Sequence, residues 1–187
     1  MNLEQANRIF KIAATQQEVI CPPEQVFKHS DLNFLFDHGG GLVEDKNQYK
    51  LFTEYLRKIG EDKFYILENI GATLTERTIP FKISISLSSH YELFQEKVLA
   101  FEPPFGWRIN HFFIFGQSDK WGIYMCEYPT INIIGCVNEY KEGFKKVFSI
   151  NRNGYTELKE LIAQEFKTKP NLMSEFTKQY SFENRQH

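Results

Sequence analysis

The stretch LNFLFDHGGGL, residues 32–42, places a histidine and three glycines directly after a short apolar run. An HGGG turn after a strand can supply backbone N–H groups to an oxyanion hole, which is hydrolase chemistry. That chemistry also needs a serine in a GxSxG turn between a strand and a helix. The nearest stretch, Gly116–Lys120, ends in lysine and joins two expected hairpin strands. We therefore interpret the three glycines as a turn that uses positive φ angles, with His38 as a turn residue.

A second possible catalytic set combines Cys126 with His111, which fall on neighbouring predicted strands. A cysteine activated by a histidine is a common nucleophile, and Glu127 could orient the imidazole. A free cysteine in an apolar strand is more often a small residue of the core. We therefore expect no enzymatic activity and keep one alternative, a small cytosolic hydrolase or thiol-dependent enzyme that uses Cys126 and His111.

Paired carboxylates are the third kind of residue that could do chemistry. Glu44–Asp45 and Glu61–Asp62 adjoin the ends of predicted helices, where acidic side chains are favourable and solvated. We therefore expect both pairs to lie at the surface. Glu127 ends an otherwise apolar strand, so it either faces a partner or marks the point where the strand leaves the core.

Composition argues against most ligand classes. The five histidines are scattered without an HExxH or paired Cys/His spacing, so we expect no metal and no cofactor. With 22 basic and 24 acidic residues, the net charge of -2 disfavours direct nucleic-acid binding. The three cysteines form no CxxC pair, and the sequence shows no secretion signal and no apolar run of membrane-spanning length. We expect a soluble protein of the cytoplasm that does not bind membranes.

Hydrophobic periodicity predicts one α+β domain over residues 1–187, with residues 183–187 frayed. Pro80–Ser88 alternates apolar and polar residues, which predicts a strand with one face near water. Three apolar runs joined by short loops predict an antiparallel meander in the centre of the sheet, in the C-terminal half of the chain. These runs are Arg108–Phe115, Trp121–Tyr128 and Thr130–Val137. Helices are expected around the sheet at residues 3–13, 47–59, 89–100, 155–166 and 172–180 and in the stretch after Asn138.

The segment FFIFGQSDKWGIYMCEYPTINIIGC, residues 112–136, has a distinctive order. An apolar strand ends in Phe-Gly, and a polar loop, Trp-Gly-Ile-Tyr, a Glu-Tyr-Pro corner and another apolar strand follow. This order resembles small cytosolic immunity proteins of bacterial polymorphic-toxin and contact-dependent growth inhibition systems, some of which belong to the SUKH superfamily.

The resemblance implies a stoichiometric inhibitor that binds a cognate toxin domain, expected to be a nuclease. Because nuclease surfaces are basic around their substrate, acidic and aromatic residues would make the contacts. The acidic and aromatic residues that the resemblance implies as toxin contacts are Asp119, Trp121, Glu127, Tyr128 and Glu139. A regulatory module that binds some other protein would need the same kind of surface, so the sequence leaves this possibility open.

Overall fold

A computed structural model describes residues 3–12, 20–29, 31–38, 41–72, 79–100, 111–126 and 130–180 of the chain. Its strands are β1 (Asn33–His38), β2 (Lys63–Glu68), β3 (Lys82–Ser86), β4 (Phe112–Phe115), β5 (Trp121–Cys126) and β6 (Ile131–Cys136). They form one antiparallel sheet in the order β1-β6-β5-β4-β2-β3. The predicted meander is confirmed as β4, β5 and β6, and it lies inside the sheet with β1 and β3 at the two edges.

Helices cover both faces of this sheet. They are α1 (Leu3–Ile9), α2 (Gly41–Glu44), α3 (Lys46–Lys58), α4 (Tyr91–Leu99), α5 (Lys141–Val147), α6 (Arg152–Glu165) and α7 (Pro170–Tyr180). A 3₁₀ helix, Asn138–Tyr140, precedes α5. One hydrophobic cluster joins the sheet to α2, α3, α4 and α5, and a second joins it to α1, α6, α7 and the 20–29 segment. The expected α+β class is confirmed, as three layers with the sheet in the middle.

The alternation of side chains explains why the central strands are apolar throughout. In β5, Trp121, Ile123 and Met125 enter the first cluster, while Tyr124 and Cys126 enter the second. Every residue of β4, β5 and β6 is buried, as expected for strands that are covered on both faces. The edge strand β3 is different, because its lysine and serines are exposed while Ile85 is buried. The one-sided strand predicted from Pro80–Ser88 is therefore confirmed.

Helix ends were predicted less accurately than helix positions. Helix α3 begins one residue before the expected boundary because the Asp45 side chain accepts hydrogen bonds from the N–H groups of Asn47 and Gln48. The first helix ends at Ile9, and Leu3, expected on its buried face, is 49% exposed. Gly41, expected in the glycine turn, begins α2, and His38, expected as a turn residue, is the last residue of β1. Several predictions lie outside the described residues: Gly39 and Gly40 of that turn, the strand ends at 108–110 and 127–128, and the frayed residues 183–187.

Candidate partner-binding surface

The loop between β4 and β5 is held from below by a buried carboxylate. Glu61, only 4% exposed, accepts hydrogen bonds from the backbone N–H of Gln117 at 2.6 Å and of Ser118 at 3.2 Å. It also accepts from the Ser118 hydroxyl at 2.6 Å and from the Trp121 indole N–H at 2.9 Å. Four donors from one short segment satisfy a carboxylate that burial alone would destabilise. The expectation that Glu61 is a solvated surface residue is wrong.

Additional contacts hold the same loop in place. The Gln117 side chain accepts from the Asp62 N–H at 3.0 Å, and the Gln5 amide donates to the carbonyl of Gly116 at 3.1 Å. A Cβ atom at Gly116 would lie 2.4 Å from Glu61 Oε1, which explains why glycine occupies this position. The loop is therefore fixed to the end of β2 and to α1, although it lies at the protein surface.

The residues at the solvent-exposed side of this loop carry both negative and positive charges. Asp119 is exposed and has no hydrogen bond or ion pair with any described residue. Lys120 Nζ lies 3.0 Å from Glu139 Oε1 and 5.7 Å from the ring centre of Tyr140. The hydrogen bond and the charge of Glu139 raise the pKa of Lys120. Asp119, Lys120 and Glu139 therefore form one exposed charged surface, which we call the loop surface.

A groove adjoins the loop surface between α3 and α5. It has a volume of about 540 Å³, and the half-buried side chains of Tyr55, Ile59 and Tyr140 line it together with Leu51, which is 47% exposed. The Tyr55 hydroxyl donates to the Tyr140 carbonyl at 3.0 Å. This surface thus combines charge with accessible apolar side chains, which is the composition that protein interfaces use.

The structure brings together only some of the predicted contact residues. Asp119 and Glu139 share the loop surface, whereas Trp121 is fully buried and contributes no surface. Its role is internal, because its indole binds Glu61 and its ring packs on Phe52 and Phe144. Glu127 and Tyr128 lie outside the described residues. Sequence reasoning missed Glu61, and no local pattern could have found it, since its partners lie 56 to 60 positions further along the chain.

The Cys126–His111 pair lies at the opposite end of the sheet. His111 Nδ1 lies 3.0 Å from the Tyr124 hydroxyl, which the Asn69 amide also contacts at 2.9 Å. Burial lowers the pKa of His111 to about 4, so the ring is neutral near pH 7 and a weak base. Both His111 and Cys126 are buried, at 6% and 5% exposure.

A second polar pair, Asp37 and Asn132, lies at this same end. Asn132 Nδ2 donates at 3.2 Å both to Asp37 Oδ2 and to the His38 carbonyl, which fixes the orientation of the amide. Its Oδ1 atom is buried and accepts no hydrogen bond from the described part of the chain. Burial raises the pKa of Asp37 to about 7, against the opposing effect of the Asn132 amide. The sequence interpretation of the adjacent glycine turn did not identify this pair.

Other kinds of site find no support in the part of the chain that the structure describes. No three His, Cys, Asp or Glu residues there are grouped to hold a metal ion. Among the same residues, no helix is both long and apolar enough to cross a bilayer. No protein-family model, curated protein or solved structure matches the chain. Inference about function therefore depends on the residues themselves.

Proposed function

We propose that this protein is an immunity protein that acts in the cytoplasm by binding a cognate toxin domain, of the nuclease class, and blocking it without turnover. The observation that supports this proposal best is the loop surface: an exposed charged segment held rigid by the buried Glu61. A rigid loop loses little conformational entropy on binding, which favours tight inhibition.

The charges of the loop surface suit a basic partner. Asp119 can form an ion pair with the partner directly. Glu139 can do so by replacing its ion pair with Lys120 by one with a basic residue of the toxin. Such an exchange costs little, because an exposed ion pair contributes only about 0–1 kcal/mol. Tyr140 and the groove between α3 and α5 supply apolar contact area beside these charges.

Protection of cells tests the proposal. Cells that express a toxin domain encoded beside this gene should survive only when the protein is present, and the two should co-purify. The variant Asp119→Lys/Glu139→Lys should lose protection, whereas Glu96→Lys on the exposed side of α4 should keep it. If the protein protects against no toxin encoded beside it, the proposal is wrong.

The thiol-enzyme alternative has one structural observation in its favour. His111 Nδ1 lies 3.0 Å from the hydroxyl of Tyr124, and Cys126 packs in the same hydrophobic cluster as Tyr124, so the two residues lie on the same side of the sheet. Iodoacetamide labelling of the folded protein tests this alternative. Labelling of Cys126 that the His111→Asn variant slows would favour the enzyme, whereas labelling only after unfolding would exclude it.

A further inference from the structure

Helices α6 and α7 form a second groove, on the other face of the sheet from α3 and α5. Its volume is about 610 Å³, enough for a few side chains of a bound segment. Its apolar lining residues are Phe166, Met173, Ala163 and Pro170. Phe166 is fully buried, so the base of the groove is part of the second hydrophobic cluster and does not depend on surface side chains.

The charged residues that line this groove all have the same sign. They are Lys167 and Lys178, both of which are exposed, and neither side-chain ammonium group has a hydrogen bond or ion pair with a described residue. The nearby Glu165 carboxylate accepts from the Thr130 N–H at 3.0 Å and does not line the groove. Pro170 begins α7 at the groove, so the positive end of that helix dipole adds to the positive potential.

This arrangement differs from that of the groove between α3 and α5. There, each of three glutamates has a lysine of the same chain within 4 Å: Glu54 with Lys50, Glu139 with Lys120 and Glu142 with Lys145. The α6–α7 groove is lined by its two lysines and, among the described residues, by no carboxylate, next to apolar surface and the hydroxyls of Ser174 and Thr177. A ligand complementary to this groove must supply carboxylates, apolar side chains and hydrogen-bonding groups together.

We propose that the α6–α7 groove binds an acidic segment of a protein partner, with carboxylates on Lys167 and Lys178 and an apolar side chain between them. This site is separate from the loop surface and does not depend on the immunity function. The mixed lining favours a peptide, because its side chains and backbone supply all three kinds of contact. Nucleic acid is disfavoured by the net charge of -2.

Titration of the full-length protein with the acetylated, amidated peptide Glu-Glu-Phe-Leu-Glu-Glu tests this proposal. Amide resonances of α6 and α7 should shift, and added salt should weaken binding. The peptide Lys-Lys-Phe-Leu-Lys-Lys should not bind. The variant Lys167→Glu/Lys178→Glu should weaken binding about tenfold or more, while Lys58→Glu/Lys146→Glu in the other groove should leave it unchanged.

Three results would overturn the proposal. The acidic peptide could leave α6 and α7 unaffected at millimolar concentration, or bind the Lys167→Glu/Lys178→Glu variant equally well. Vesicles of phosphatidylserine could instead bind through these two lysines while the peptide does not. An unchanged unfolding midpoint of the double variant shows that it is folded, as expected for two exposed side chains.

Discussion

The two ends of the sheet treat buried polar groups in opposite ways. At the loop end, Glu61 accepts four hydrogen bonds from residues 117–121, and its partners are all supplied by the protein. At the other end, no described residue donates to Asn132 Oδ1, and burial displaces the pKa values of Asp37 and His111 in opposite directions. Hydrogen bonds therefore fix the conformation of the loop end. At the other end, the contribution to stability changes with pH through the protonation of Asp37 and His111.

This difference bears on function. Because the Glu61 contacts are made inside the protein, Asp119 and Glu139 are left at a surface whose geometry is set before any partner arrives. The groups at the opposite end that resemble catalytic residues are buried, and His111 is neutral near pH 7. We therefore propose binding at the loop end rather than catalysis at the Asp37 end.

The largest expected effect comes from Glu61→Gln. An amide keeps one acceptor but places an NH₂ group against the donors of the other oxygen, which are the Gln117 N–H at Oε2 or the Ser118 and Trp121 donors at Oε1. We therefore expect a loss of about 3 kcal/mol in the free energy of unfolding. Urea denaturation measures it. Glu54→Gln, an exposed residue of α3, should change stability by less than about 0.5 kcal/mol. Equal effects of the two variants would show that the Glu61 contacts do not stabilise the fold.

Gly116→Ala should have the next largest effect. The added methyl group would lie 2.4 Å from Glu61 Oε1, so the loop must shift, at a cost of about 2 kcal/mol. A double-mutant cycle isolates the cause, because Glu61→Ala removes the atoms in conflict. In the Glu61→Ala variant, Gly116→Ala should lower the free energy of unfolding by much less. Additive costs would mean that the glycine is needed for some reason other than Glu61.

The Asp37 end predicts a pH dependence with a definite sign. The pKa of Asp37 rises from 3.8 to about 7 on folding. Its contribution to the free energy of unfolding is therefore complete below pH 3.8 and is lost as the pH rises to 7. The pKa of His111 falls from 6.5 to about 4, so its contribution is complete above pH 6.5 and is lost as pH falls to 4. Between pH 4 and 6.5 the two slopes oppose each other, each about 1.4 kcal/mol per pH unit at most.

Asp37→Asn separates these two contributions. Without Asp37, stability between pH 4 and 6.5 should rise with pH because only the His111 slope remains. Urea denaturation at a series of pH values measures this, and Asp31→Asn, an exposed residue, should leave the wild-type profile unchanged. A profile of Asp37→Asn that is as flat as that of the wild type would contradict the assignment.

Surface variants at the loop end should have the smallest effect on stability. Asp119→Lys and Glu139→Lys change exposed side chains, so each should alter the free energy of unfolding by less than about 0.5 kcal/mol. Thermal unfolding monitored by circular dichroism is sufficient. A larger loss would mean that these residues hold the loop in place, and their availability to a partner would then be in doubt.

The sequence predicted those features that follow from local periodicity. The alternation in Pro80–Ser88 identified one strand, and the short loops of the meander identified the order of three others, because strands joined by a tight loop pair with each other. Helix α3 was also predicted from a local pattern, the helical spacing of its apolar residues. Helix α4 was expected from residue 89 but begins at Tyr91, and its N-cap residue, His90, makes no side-chain hydrogen bond.

The candidate site was harder to predict because its contacts join distant segments. Nothing near Glu61 in the sequence distinguishes it from Glu44 or Asp45, which are exposed. Trp121 was expected at the surface, but as the first residue of β5 it faces the first hydrophobic cluster, where its indole N–H donates to Glu61. The same limit applies to Asp37 and Asn132, which become neighbours only through the pairing of β1 with β6.

Calorimetric titration of the protein with a toxin domain encoded beside its gene tests the central claim most directly. We predict a complex of one protein per toxin domain, complete loss of toxin activity at that ratio, and affinity at least about tenfold weaker for Asp119→Lys/Glu139→Lys than for Glu96→Lys. The absence of heat and of inhibition with every such toxin domain would contradict the proposed function. Unchanged affinity of the Asp119→Lys/Glu139→Lys variant would contradict the role of the loop surface.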